Sequence, residues 1–86
     1  MRPYKDLEVT KDYTIREFDQ NIDPIELMWH RDQEDRLIQS IEPTDWMFQL
    51  DNNLPISFTE SIFIPKYIWH RVIKGTNTLK LKIYKS

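Results

Sequence analysis

Ile68-Trp69-His70-Arg71-Val72-Ile73-Lys74-Gly75-Thr76-Asn77-Thr78-Leu79-Lys80-Leu81-Lys82-Ile83-Tyr84 is the stretch that decides the fold class. From Thr78 to Tyr84 apolar and polar residues alternate. Leu79, Leu81 and Ile83 take one face, and Thr78, Lys80, Lys82 and Tyr84 the other, as in a strand with one side buried. Ahead of it, Ile68, His70 and Val72 share one face and Trp69, Arg71 and Ile73 the other, with Gly75-Thr76-Asn77 as the turn between.

Working back from this hairpin, the same alternation recurs in short runs. Strands are expected at 9–18, 25–32, 36–42, 46–50, 55–58, 61–64, 68–74 and 78–84, separated by turns rich in Asn, Asp and Pro. Only residues 31–41 fit helical spacing as well as strand spacing. About eight short strands at roughly ten-residue intervals predict an all-β sandwich or small barrel. Composition agrees: the 86 residues contain eleven isoleucines, no alanine and one glycine, a mixture that favours strands over a helical bundle.

The length allows one domain, 1–86, with residues 1–14 as an N-terminal arm or edge strand. A chain this short buries roughly 60–65% of its unfolded surface, so its core is marginal and a homodimer is expected. No apolar run approaches the length of a membrane span, and the N-terminus lacks the apolar core of a signal peptide, so a cytoplasmic protein without a membrane partner is expected. With no cysteine, disulfides, zinc fingers and thiol catalysis are excluded, leaving His, Asp and Glu as metal ligands. One glycine cannot build a phosphate-cradling loop, and no serine sits on a nucleophile elbow.

Charge divides along the chain. Residues 1–60 carry 14 acidic and 6 basic side chains, whereas residues 61–86 carry 6 basic and no acidic ones. The lysines of the last segment read as the solvent face of an edge strand that discourages sheet aggregation, and a nucleic-acid partner is not expected. Trp46, Phe48, Phe58 and Phe63 read as core.

The chain's two histidines occur in the same tripeptide, Trp29-His30-Arg31 and Trp69-His70-Arg71. In both, His points away from Trp and Arg. If the two segments are neighbours, the imidazoles meet on one face and the Trp–Arg pairs on the other, where a guanidinium can stack on an indole.

Ile64-Pro65-Lys66-Tyr67-Ile68-Trp69-His70 resembles the second motif of the cupin family, where a proline turn leads into a strand bearing a metal-binding histidine. His30-Arg31-Asp32 followed by Gln33-Glu34-Asp35-Arg36 resembles the first, in which two ligands two residues apart precede an acidic one. The wider pattern of residues 24–75 is similar to small cupin-like proteins of tailed phages. The chain departs from the family in carrying Asp32 where a histidine is usual and Arg36 at the glutamate spacing. Motif glycines are replaced by Pro24, Pro43, Thr59 and Tyr67. The resemblance implies a small cupin-like barrel or jelly-roll with its site in the barrel mouth.

Three readings of that site stand side by side. In the first, His30, His70 and Asp32, or else Glu34, bind a divalent transition metal, since two His and a carboxylate suit Fe, Mn, Ni or Zn; Gln49 then contacts a small-molecule ligand. In the second, Arg36 makes a metal-free pocket for an anion, ligand or partner. In the third, the histidines are hydrogen-bonded core residues and the charged run is a solvated turn.

Overall fold

The alternation of Leu79, Leu81 and Ile83 places them at the centre of the protein. A computed structural model describes residues 3–85, and within them eight strands form: β1 (Lys5–Val9), β2 (Tyr13–Phe18), β3 (Arg36–Ser40), β4 (Met47–Leu50), β5 (Ile56–Ser57), β6 (Ile62–Ile64), β7 (His70–Ile73) and β8 (Leu79–Lys85). They make two antiparallel sheets, one ordered β1-β2-β8-β3-β6 and the other β5-β4-β7. The all-β fold class read from the alternation is the one observed.

The sheets close on each other through their apolar faces. Phe18, Ile38, Ile62, Ile64, Leu79, Leu81 and Ile83 from the larger sheet pack with Phe48 of β4 and with Trp46, Leu27 and Phe58 from the connections. Trp46, Phe48 and Leu79 are fully buried. The Phe18 and Trp46 rings sit 5.9 Å apart across the gap. The radius of gyration, 12.0 Å, equals the value of about 12 Å expected for a close-packed chain of this length.

Four expectations are corrected. The run 9–18 is not one strand: Thr10 accepts from the amides of Asp12 and Tyr13 through its hydroxyl, turning the chain between β1 and β2. The run 25–32 is not a regular strand either. Asp23 Oδ1 accepts from the Ile25 amide and Pro24 occupies the first turn, so Pro24–Glu26 forms a 3-10 turn and only His30 pairs as an isolated bridge. The last strand is not an edge: β8 lies between β2 and β3. Its outward Lys82 rests on the rings of Tyr13 and Tyr84, and Lys80 pairs with Glu42 at 3.3 Å. Finally, Phe63 faces outward at 56% exposure, because Ile62 and Ile64 on either side of it take the core face. No helix of the described residues is long and apolar enough to cross a membrane.

Gly75 is needed for space rather than for dihedral freedom, since no glycine has positive φ. A Cβ there would lie 2.2 Å from Asp45 Oδ1 and 2.7 Å from the Trp46 amide nitrogen. Asp45 is held in place by the Thr76 hydroxyl and amide, which keep its carboxyl below the usual carboxylate range. Gly75→Ala is therefore expected to destabilise the fold by roughly 1–3 kcal/mol, the scale of overpacking. The check is a lower urea midpoint with an unchanged slope; an unaltered midpoint would mean the two turns part freely.

Candidate metal centre

Backbone pairing brings the two tripeptides together. The His30 amide donates to the His70 carbonyl at 3.0 Å and the His70 amide donates to the His30 carbonyl at 2.8 Å. This reciprocal pair is the closed ring of an antiparallel ladder, and it fixes which side chains share a face. The loop after His30 is tied down by the Tyr67 amide, which donates to the Asp32 carbonyl at 2.7 Å, and by the Lys66 amide, which donates to Asp35 Oδ1 at 2.9 Å. Tyr67 adopts a φ of 65°, the left-handed region that a glycine would enter without penalty. It stands at one of the positions where the cupin motif has glycine.

On the inner face the imidazole centroids are 4.2 Å apart at an interplanar angle of 67°. Each ring is anchored through Nδ1 to the carbonyl two residues back: His70 to Ile68 at 2.9 Å and His30 to Met28 at 3.4 Å. A carbonyl only accepts, so each Nδ1 donates, and in the neutral form of such a ring it is Nε2 that presents the lone pair. His70 Nε2 lies 3.5 Å from Asp32 Oδ2. Ligand atoms of His30, Asp32 and His70 all fall within 4.8 Å of one another. Two acceptors facing each other at such a distance repel unless a cation stands between them.

A proton is a poor candidate for that cation. His70 is 3% exposed, and burial, the largest influence, lowers its pKa below the ordinary 6.5. The Ile68 carbonyl and Asp32 oppose this shift, while His30 and Arg36 add to it. The site keeps His70 neutral, the form in which an imidazole ligates. Arg36 reaches Asp32 at 4.0 Å.

These groups border a cavity of about 90 Å³ between the sheets, with Phe48, Ile38, Ile64, Leu81 and Ile83 as its apolar walls. His30 and Asp32 also line a neighbouring cleft of about 310 Å³, bounded by Tyr4, Leu27 and Met28. Of the expected site residues, His30, Asp32 and His70 are brought together and Arg36 lines the same cavity. Glu34 is exposed and stands outside the group. Gln49 is elsewhere: it lies opposite Arg71 in the β4–β7 register, accepts from Arg71 Nε at 2.9 Å and donates to the Asn53 carbonyl. Odd and even positions of β4 face opposite ways, so Gln49 cannot share the cavity with Phe48.

Thr14 and Arg16, which the sequence reading passed over, line the cavity. The signal was available: they share the inward face of β2 with Phe18. Arg16 pairs with Asp6 at 2.8 Å and lies 3.8 Å from the Tyr4 ring. The outer face holds the expected Trp–Arg contacts, crossed by the antiparallel register: Arg71 stands over Trp29 at 4.8 Å and Arg31 over Trp69 at 5.1 Å.

Solved structures with the same architecture exist. The chain superposes on an RmlC-like cupin family protein with a double-stranded β-helix fold from Methanocaldococcus jannaschii, with a TM-score of 0.65 and 14% identity over 96% of this chain and 77% of that one. It also superposes on a DMSP lyase (TM-score 0.66, 18% identity, 86% of this chain and 37% of that one). Fe(II)-HppE gives a TM-score of 0.66 at 17% identity, over 96% of this chain and 48% of that one. No protein-family model and no curated protein matches the sequence. The chain thus has the cupin fold, and it spans less than half the length of the last two proteins.

The lowered pKa of His70 sets a pH dependence. The unfolded chain binds this proton more readily than the folded one, so the stability contribution is present above about 6.5 and is lost as pH falls through the lower folded value. The melting temperature of chelator-treated protein is expected to fall as the pH is taken below about 6.5. His70→Gln is expected to flatten that slope; an unchanged slope would show that other groups set it.

Proposed function

We propose that the chain is a small metal-binding cupin-fold protein in which His30, Asp32 and His70 hold one divalent transition ion and the adjoining cavity admits a small ligand. The observation that carries this reading is the meeting of a His30 ring nitrogen, His70 Nε2 and an Asp32 carboxylate oxygen around a buried His70 whose pKa burial lowers. Fe(II), Mn(II), Ni(II) and Zn(II) all accept such a set. The description of HppE as an Fe(II) form supports the same class of ion. When bound, the ion supplies Lewis acidity and, for a redox metal, electron transfer, with coordination positions left for a ligand.

The chain's own residues do the rest. The Met28 and Ile68 carbonyls hold the rings in one tautomer, which also makes the bare nitrogens better donors. Arg36 stands against the Asp32 carboxylate. Ile38, Phe48 and Leu81 give the inner cavity an apolar wall opposite its charged groups, so electrostatic contacts there are less screened than in bulk water.

The test is calorimetric titration of chelator-treated protein with Mn(II) and Zn(II). One ion per chain is expected. At about a hundredfold excess over Kd it should raise the melting temperature by roughly 10–20 °C. His30→Ala, Asp32→Asn and His70→Ala are each expected to weaken binding by roughly a hundredfold or more, beyond the range typical of outer-shell changes. Wild-type protein that takes up no metal and melts identically with and without chelator would refute the reading.

Arg36 favours a second reading, a non-enzymatic module that binds an anion or other small ligand without metal. Its guanidinium borders the cavity and makes no side-chain hydrogen bond among the described residues. Binding of a small anion by metal-free protein, unaltered by added ion, is its signature.

A further inference from the structure

We propose that the ligand of this site is a small monocarboxylate, seated on Arg36 and bound only once the ion is in place. The inference rests on the metal reading above and adds the chemical class of what the cavity takes.

Charge is the first argument. Two guanidiniums reach the cavity. Arg16 is already engaged, by Asp6 at 2.8 Å and 3.4 Å and by the Tyr4 ring. Arg36 is not: its one ionic neighbour among the described residues is Asp32, and the 4.0 Å between them is too long for a hydrogen bond. Without metal, Arg36 and Asp32 cancel, and an entering anion meets the repulsion of the carboxylate. With a divalent ion on Asp32, the cation and Arg36 leave the site positively charged, and the planar fork of Arg36 faces no other acceptor. A carboxylate matches that fork with two parallel hydrogen bonds.

Size and polarity narrow the class. The inner cavity, about 90 Å³, is smaller than the 150 Å³ void that holds benzene, so the part of a ligand lodged there has only a few heavy atoms. Phosphate has no apolar part, so whichever of its oxygens Arg36 and the ion do not hold would be set against the walls of Ile38, Ile64, Phe48 and Leu81. A carboxylate with a short apolar body suits both the Arg36 fork and the walls.

The experiment compares propionate with its neutral isostere propionamide and with inorganic phosphate, by calorimetric titration into protein loaded with one Zn(II) per chain and into chelator-treated protein. Propionate is expected to bind the loaded protein at least roughly tenfold more tightly than either competitor, and than it binds the metal-free form, the scale of a charge-assisted hydrogen bond. Arg36→Gln should retain Zn(II) yet lose that tenfold, and Arg36→Lys should recover only part of it. If Zn(II) binds but propionate does not, or Arg36→Gln leaves propionate affinity unchanged, the carboxylate seat is overturned while the metal reading stands. Equal propionate binding with and without ion overturns the metal requirement and favours the second reading. Failure of Zn(II) uptake overturns both.

Discussion

Two backbone hydrogen bonds, exchanged between His30 and His70, set the geometry of the candidate site. A hydrogen-bonded antiparallel pair puts both of its side chains on the same side of the ladder. With the rings inward, the residues on either side must face out, and they cross: Trp29 meets Arg71 and Arg31 meets Trp69. The repeated tripeptide is therefore two halves of one pairing. Its outer layer of stacked cations and indoles covers the same bridge whose inner layer offers the nitrogen donors.

The remaining polar geometry follows from that bridge. Asp32 is two residues beyond His30 and is held by the Tyr67 amide. Tyr67 in turn occupies a left-handed turn just before His70. The chain thus closes a loop in which each motif anchors the other: the first supplies the carbonyl that the second's turn requires, and the second supplies the wall against which Asp32 rests. Burial then selects the neutral imidazole of His70 over its cation. A neutral imidazole beside a carboxylate is the electrostatic condition for a metal ligand.

Much of the fold was legible in the sequence because a strand with one buried face declares itself residue by residue. Leu79, Leu81 and Ile83 in β8, and Trp46 and Phe48 in and before β4, alternate strictly and sit where that alternation places them. Legibility failed where the chain is not periodic. The turn expected at Asp23 and Pro24 runs on as a 3-10 turn through Ile25 and Glu26, two residues that read as the start of a strand when only apolar spacing is followed. Phe63 was misassigned by size alone, although its parity with Ile62 and Ile64 points it outward. Position in the sheet was also hidden: lysines on a solvent face look alike on an edge strand and on the central β8, since strand order depends on long-range pairing. Within the site, the His30–His70 pairing could be anticipated from parity. Gln49 could not be excluded without knowing which face of β4 meets the cavity, and Thr14 and Arg16 are polar residues on the inward face of β2, where apolar spacing alone does not mark them.

The most direct measurement is diffraction from crystals grown with Mn(II) or Zn(II), recorded at the absorption edge of the added metal. The account expects one anomalous peak per chain, within about 2.0–2.3 Å of His30 Nε2, His70 Nε2 and an Asp32 oxygen, with both Nδ1 atoms still on the Met28 and Ile68 carbonyls. No peak there at saturating metal, or a peak bound through side chains other than these three, would contradict it.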